Sequence, residues 1–342
     1  MRPEELLVST PQGLYCPPGD FYIDPMRPQK RALITHGHSD HARAGHTSVL
    51  ATRETLDIMT IRCGANFAES MQAAPLGETL DINGVNVTYH PAGHILGSAQ
   101  ICVERNGFRI VASGDYKDVR DPTCLSFEPI RCDVFITEAT FGLPVFRHGD
   151  PAKQIEKLLA SVALFPERAH LVGAYALGKA QRVVALLREA GYAAPIYLHG
   201  AMEALMKYYA SQGVDLGELR LVRDAKKDEL AGTITLCPTS ALQDRWTRRF
   251  PEPLSAYASG WMRVRARARQ NGVELPLVIS DHADWDGLCA SILATGASEI
   301  WVTHGEEDAL VHWCETRQLR ARPLRLVGYG EETDEAPAGE PA

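Results

Sequence analysis

The run His36-Gly37-His38-Ser39-Asp40-His41 places three imidazoles and a carboxylate within six residues. Imidazole and carboxylate suit zinc-class cations, and neutral histidine ligands need no thiolate beside them. Gly37 lets the chain bend tightly between two ligands. The apolar run at residues 31–35 (RALIT) leads directly into the cluster. It reads as a strand feeding a loop, and such loops can aim several side chains at one point. Four ligand-type residues at this spacing, directly after an apolar strand, argue against a chance surface cluster.

The elements that must position this cluster alternate between two textures. Residues 53–63 read as a helix; 83–89, 99–105 and 108–113 read as strands, with Asn106-Gly107 as a hairpin turn signal. Residues 134–137 (VFIT) read as a buried strand. From about 151 to 275 the spacing predicts helices at 151–163, 178–190 and 201–211 and strands at 170–175, 195–198 and 233–237, an α/β layer with a parallel sheet. Strands are then expected at 275–280, 299–303 and 323–327, with helices at 285–294 and 307–318. The acidic, Pro/Gly-rich end from Glu331 is expected to be disordered.

Composition excludes several classes. At 342 residues and 45% hydrophobic, the chain is ordinary for a globular protein of one large or two smaller domains. No apolar run is long enough to span a bilayer. The start MRPEELLVSTPQG lacks the pattern of a secretory signal, which predicts a cytoplasmic protein with no membrane partner. The 8 cysteines form no CxxC pair, so zinc knuckles and thioredoxin-like motifs are absent. Net charge is -8, but unevenly spread. Residues 150–275 carry 18 Lys+Arg against 13 Asp+Glu, and the remainder 17 against 30. The net-basic middle segment is suited to a polyanion.

The HxHxDH signature resembles that of metallo-β-lactamase-fold hydrolases. Ala92-Gly93-His94 resembles their third motif, and Ser113-Gly114-Asp115 their fourth. Three later matches resemble the β-CASP nuclease branch: Glu138 after VFIT, His282 in Ser280-Asp281-His282-Ala283-Asp284, and His304 in Thr303-His304-Gly305-Glu306. Ala176-Leu177-Gly178-Lys179-Ala180-Gln181 resembles part of that branch's insert. Finer features resemble the bacterial ligase-associated DNA damage response exonucleases: the stretch from Cys16 to Pro25, Thr140-Phe141-Gly142-Leu143-Pro144, Ser259-Gly260-Trp261-Met262, and Ser280 through Trp285.

The resemblance implies an α/β fold, the αββα metallo-β-lactamase sandwich, with an inserted α/β β-CASP domain. Residues 1–147 and 276–330 would form the sandwich and 148–275 the insert, with 331–342 as tail. It implies two divalent metal ions, Zn2+ first and Mn2+ second. One would be held by His36, His38 and His94, the other by Asp40, His41 and His304, with Asp115 between them. Catalysis would involve His282, Glu138 and Asp40. His282 is the candidate general acid for the departing 3′-oxygen, with Glu138 orienting it. Asp24 would be a hydrogen-bond acceptor behind a metal-bound ring.

Arg263, Arg265, Arg267 and Arg269 alternate with small apolar residues. On a strand all four would share one face and could track phosphates, whereas on a helix they would spread around the axis. Lys179, Arg248 and Arg249 are weaker candidates. The function expected is a two-metal DNA exonuclease of 5′-to-3′ polarity acting in repair on single-stranded or end-containing DNA. An ATP-dependent DNA ligase and a helicase of the same pathway are the expected partners. An RNA-processing ribonuclease is the nearest alternative, because a histidine at the position of His304 is associated more with RNA nucleases in that branch. A small-molecule metallo-hydrolase and an inactive nucleic-acid-binding subunit stand further off.

Overall fold

A computed structural model describes residues 2–270, 272–324 and 326. The chain divides into two compact units. The first runs to Val145 and resumes at His282; the second comprises Phe146–Asp281. The expected tail at 331–342 and the end of the strand expected at 323–327 lie outside the described residues. No helix among the described residues is long and apolar enough to cross a membrane.

Two sheets and their flanking helices build the first unit, in an α/β fold. One sheet has six strands, from Val8–Thr10 to Ala68–Ala73. The other has seven, with Val134–Ala139 central between Phe108–Ala112 and Glu299–Gly305. Strand alternation assigns each residue to a layer. Leu33 and Leu50 of the first sheet pack with Ile110, Ala112, Ile136 and Trp301 of the second, forming the core between the sheets. Their neighbours point the other way. Ala32, Val49 and Ala51 meet Leu56 and Met59 of the helix Arg53–Cys63. Val111, Phe135 and Val302 meet Leu288 and Ile292 of the helix Trp285–Thr295 and Leu310 of the helix Glu307–Glu315. The layers are therefore helix, sheet, sheet, helix.

Turn chemistry sets register in the second sheet. Asn106 (φ 53) and Gly107 (φ 77) occupy the left-handed conformation that a two-residue hairpin turn requires, joining Ala99–Arg105 to Phe108–Ala112 with Arg105 opposite Phe108.

The second unit holds a six-stranded sheet in which every pairing is parallel. Its central strands, His170–Gly173 and Ile234–Cys237, are buried throughout, as parallel strands covered on both faces must be. Leu275–Leu277 is its edge strand, paired with Leu254–Ala258. The insert therefore extends beyond 275, the boundary expected from sequence.

The arginine run departs from expectation. Gly260–Arg263 is a 3-10 turn and Arg265–Gln270 a short helix, so the four guanidinium groups do not share a strand face. Arginine and alanine are good helix formers, and among the described residues no strand pairs with this segment. Arg267 instead lies over the Trp261 ring, 3.9 Å from its centroid. The phosphate track built on strand geometry is withdrawn.

Candidate metal centre

The candidate residues stand at strand ends, and strand direction explains why they meet. Val85–Pro91, Phe108–Ala112, Val134–Ala139 and Glu299–Gly305 all run the same way, because two antiparallel steps separate the first pair and the rest pair in parallel. His94 follows the first of these strands, Asp115 follows the second, and Glu138 and His304 sit near the ends of the third and fourth. From the other sheet, Arg31–Leu33 delivers the loop containing His36–His41.

Local devices fix each side chain. His304 is the extra residue of a bulge: Glu138 pairs with Thr303 and Ala139 with Gly305. Its φ of 56 redirects the ring out of the strand alternation. The amides of His94 and Ile95 donate to Ser98 Oγ at 3.1 and 3.2 Å, closing the loop after Gly93. A Cβ on Gly93 would strike the Lys117 carbonyl oxygen, so only glycine fits there. Arg62 Nη1 donates to the Gly37 carbonyl at 2.5 Å and pins the turn between two histidines. Asp24 accepts from the Thr35 amide (2.8 Å), Thr35 Oγ1 (2.6 Å) and His41 Nδ1 (2.8 Å), which turns His41 Nε2 toward the centre.

Two groups of donor atoms result. His36, His38, His94 and Asp115 each offer one atom, all within 4.8 Å of one another, and so do Asp40, His41 and His304. Asp115 lies between them. Its Oδ2 is 3.5 Å from both His36 Nε2 and His41 Nε2 and 3.9 Å from His94 Nε2, while its Oδ1 is 3.4 Å from His304 Nδ1. His36 Nε2 and Asp40 Oδ1 are buried and find no hydrogen-bond partner among the described residues. Buried polar atoms without partners are costly, and a cation is the partner that suits an imidazole nitrogen and a carboxylate oxygen together. The residues fit divalent cations: His36, His38, His94 and Asp115 could hold one and Asp40, His41 and His304 another, with Asp115 near both groups.

Electrostatics divide the histidines. Burial and the neighbouring His41 hold His36 well below the ordinary imidazole range. Burial opposes the charge on His41 too, but Asp115, Asp40 and Asp24 outweigh it and raise this ring to about 10. Asp115 is held well below the ordinary carboxylate range; burial resists its ionisation, and the imidazoles led by His41 overcome that resistance.

Beside this centre, His282 Nδ1 lies 2.9 and 3.0 Å from the two Glu138 carboxylate oxygens, and both residues are buried. The His282 ring centroid is 4.5 Å from that of His94. Glu138 Oε1 also accepts from the Tyr116 amide at 2.8 Å. Although Asp115, Glu138 and His282 lie close enough to form a further ligand group, the Glu138 oxygens are already engaged, which favours a proton-handling pair over a third cation site.

Lys179 does not join a surface. It is buried in the second unit, its Nζ 3.0 Å from Asp281 Oδ1 and 4.2 Å from the Tyr175 ring centroid. Its expected nucleic-acid contact is withdrawn, because its charge is spent on a buried ion pair. Arg248 and Arg249 are exposed. Sequence reasoning missed Thr35 and Lys117. Thr35 could have been suspected, since it stands between the strand and the first ligand.

No family model matches the chain. A probable DNA ligase from Opitutus terrae is 27% identical over 325 residues, covering 94% of this chain and 31% of the ligase. An endoribonuclease YSH1 from Gibberella zeae is 31% identical over 155 residues, covering 44% of this chain and 18% of that protein. Cleavage and polyadenylation specificity factor subunit 3 from Dictyostelium discoideum is 31% identical over 147 residues, 42% of this chain and 18% of the factor. The chain thus spans about a third of the ligase and under a fifth of the other two. A protein of unknown function from Enterococcus faecalis has a similar fold (TM-score 0.57, 13% identity, covering 88% of this chain and 80% of that one).

Proposed function

We propose that this chain is a metal-dependent nuclease that hydrolyses phosphodiester bonds of DNA, trimming from a 5′ end, with the first unit as its catalytic part. The observation that carries the reading is Asp115, placed between two separate histidine groups with the His282–Glu138 pair beside them. Two divalent ions held there would supply an activated water at neutral pH and neutralise charge growing on the phosphoryl oxygens.

The chain's own residues supply the rest. Asp24 holds the His41 ring with Nε2 inward. Glu138 accepts from His282 Nδ1, which leaves Nε2 to deliver a proton to the departing 3′-oxygen. Asp40 and Asp115 would supply the carboxylate oxygens of the centre, ligands that suit zinc-class cations.

DNA is favoured over RNA because the similarity to the ligase runs along nearly the whole chain, whereas the endoribonuclease similarity covers less than half. A ligase that seals the trimmed ends is the partner this reading implies, and Zn2+ the first metal to test, with Mn2+ next. RNA processing is the second reading, supported by the two RNA-related relatives.

Labelled DNA and matched RNA, single- and double-stranded, with 5′-phosphate or 5′-hydroxyl ends, separate these readings. Metal-stimulated release of mononucleotides from the 5′ end of DNA is expected. Faster cleavage of RNA would overturn the DNA reading while leaving the chemistry in place. Cleavage unchanged by a chelator would overturn both.

A further inference from the structure

The dipeptide Tyr116-Lys117, immediately after Asp115, contacts the Glu138 carboxylate and the backbone of His282 and Ala283. The Tyr116 amide donates to Glu138 Oε1 (2.8 Å) and its carbonyl accepts from the Ala283 amide (2.7 Å). The Lys117 amide donates to the Ala92 carbonyl (3.0 Å), at the entry to the His94 loop. Lys117 Nζ reaches 165 residues along the chain and donates to the backbone carbonyl of His282 at 3.1 Å.

Lys117 is only 6% exposed. Burying an ammonium is expensive, and packing alone would be served by methionine or leucine. A charged donor to a carbonyl is about twice as strong as a neutral one, so it holds a peptide more firmly than an amide would. The carbonyl it holds belongs to His282, whose ring centroid lies 4.5 Å from that of His94 at the edge of the centre.

We propose that Lys117 is a positioning residue for His282: with the Tyr116 carbonyl it clamps the His282–Ala283 peptides and so sets the imidazole over the centre. The inference rests on the reading of His282 as proton donor. Glu138 orients the ring from Nδ1; Lys117 locates the backbone from which the ring hangs.

The test is a double-mutant cycle on the full chain, with metal content measured on every variant. Lys117→Met is expected to lower kcat on the order of 10²-fold, the loss that a displacement of about 1 Å produces, with KM within about twofold and metal content unchanged. In the His282→Ala background there is no ring to place, so Lys117→Met is expected to cost nothing further. An undiminished second loss in that background would overturn the proposal, and so would a Lys117→Met enzyme of normal kcat. Lys117→Gln is run in parallel in case methionine is not tolerated. Loss of metal from both Lys117 variants would also overturn the proposal, because the lysine would then serve the ligand set. A fully active His282→Ala enzyme would instead remove the proton-donor reading, and is thereby distinguishable.

Discussion

In the second unit a buried charge meets its counter-charge: Lys179 Nζ lies 3.0 Å from Asp281 Oδ1. In the first unit Asp115 faces four imidazoles instead, at 3.4 to 3.9 Å, brought in by three separate segments of chain. The first arrangement sets one cation against one carboxylate. The second brings donor atoms of seven residues together in two groups, with His36 Nε2 and Asp40 Oδ1 buried and without hydrogen-bond partners among the described residues. An ion pair that neutralises itself belongs to the scaffold. A set of imidazoles and carboxylates whose donor atoms converge could instead take a cation from outside, and that contrast can be tested.

The largest effect that would sharpen this contrast is at Asp115. Asp115→Ala removes the one carboxylate shared by both groups. Cleavage is expected to fall by at least the order of 10³-fold, beyond what a single electrostatic donor is worth, with loss of bound metal seen by elemental analysis. An Asp115→Ala protein that keeps both ions would break the comparison. Lys179→Met addresses the other side. Breaking a buried pair costs about 3–5 kcal/mol, so urea unfolding is expected to show a loss of that size with metal content retained. A loss below about 1 kcal/mol would show that the pair is not what closes its region.

Asp24→Asn is milder. It keeps the shape but weakens the acceptor behind His41, and partners of this kind are worth about 10–100-fold in metal affinity. Competition against a chromophoric chelator measures it, and unchanged affinity would mean that His41 is oriented by the surrounding packing alone. The smallest effect concerns thiols. Burial pushes Cys102 up to about 12, and Cys237 is buried in the second unit. Chelation is expected to speed alkylation of Cys102 and leave Cys237 unaltered, read by mass spectrometry of the labelled peptides. Equal acceleration at both would show that the two units do not respond separately to the metal.

Much of the centre was legible because its residues are short-range in sequence or sit where a strand stops. His36 to His41 share one loop, and His94 and Asp115 each follow an apolar run that alternation marks as a strand. The convergence of these strands came from resemblance, and the parallel and antiparallel pairings supply its physical cause. Other features had no local signal. Lys117 acts on a carbonyl 165 residues away, and a carbonyl has no residue type to recognise. The strands Val8–Thr10, Gly13–Cys16 and Phe21–Ile23 have three or four residues each, too few for a period to show. The arginine run misled because alternating Arg and Ala satisfies a period of two on paper while both residues favour helix. Lys179 was read as basic surface because its partner, Asp281, is distant in sequence.

The central claim is that His36, His38, His94, Asp40, His41 and His304, joined by Asp115, hold two divalent cations. Elemental analysis of the purified chain, before and after dialysis against a chelator and re-addition of Zn2+ or Mn2+, tests it most directly. Two ions per chain are expected, with phosphodiester cleavage lost and regained in step with them. A chain that binds no ion and cleaves DNA equally well with the chelator present would contradict it.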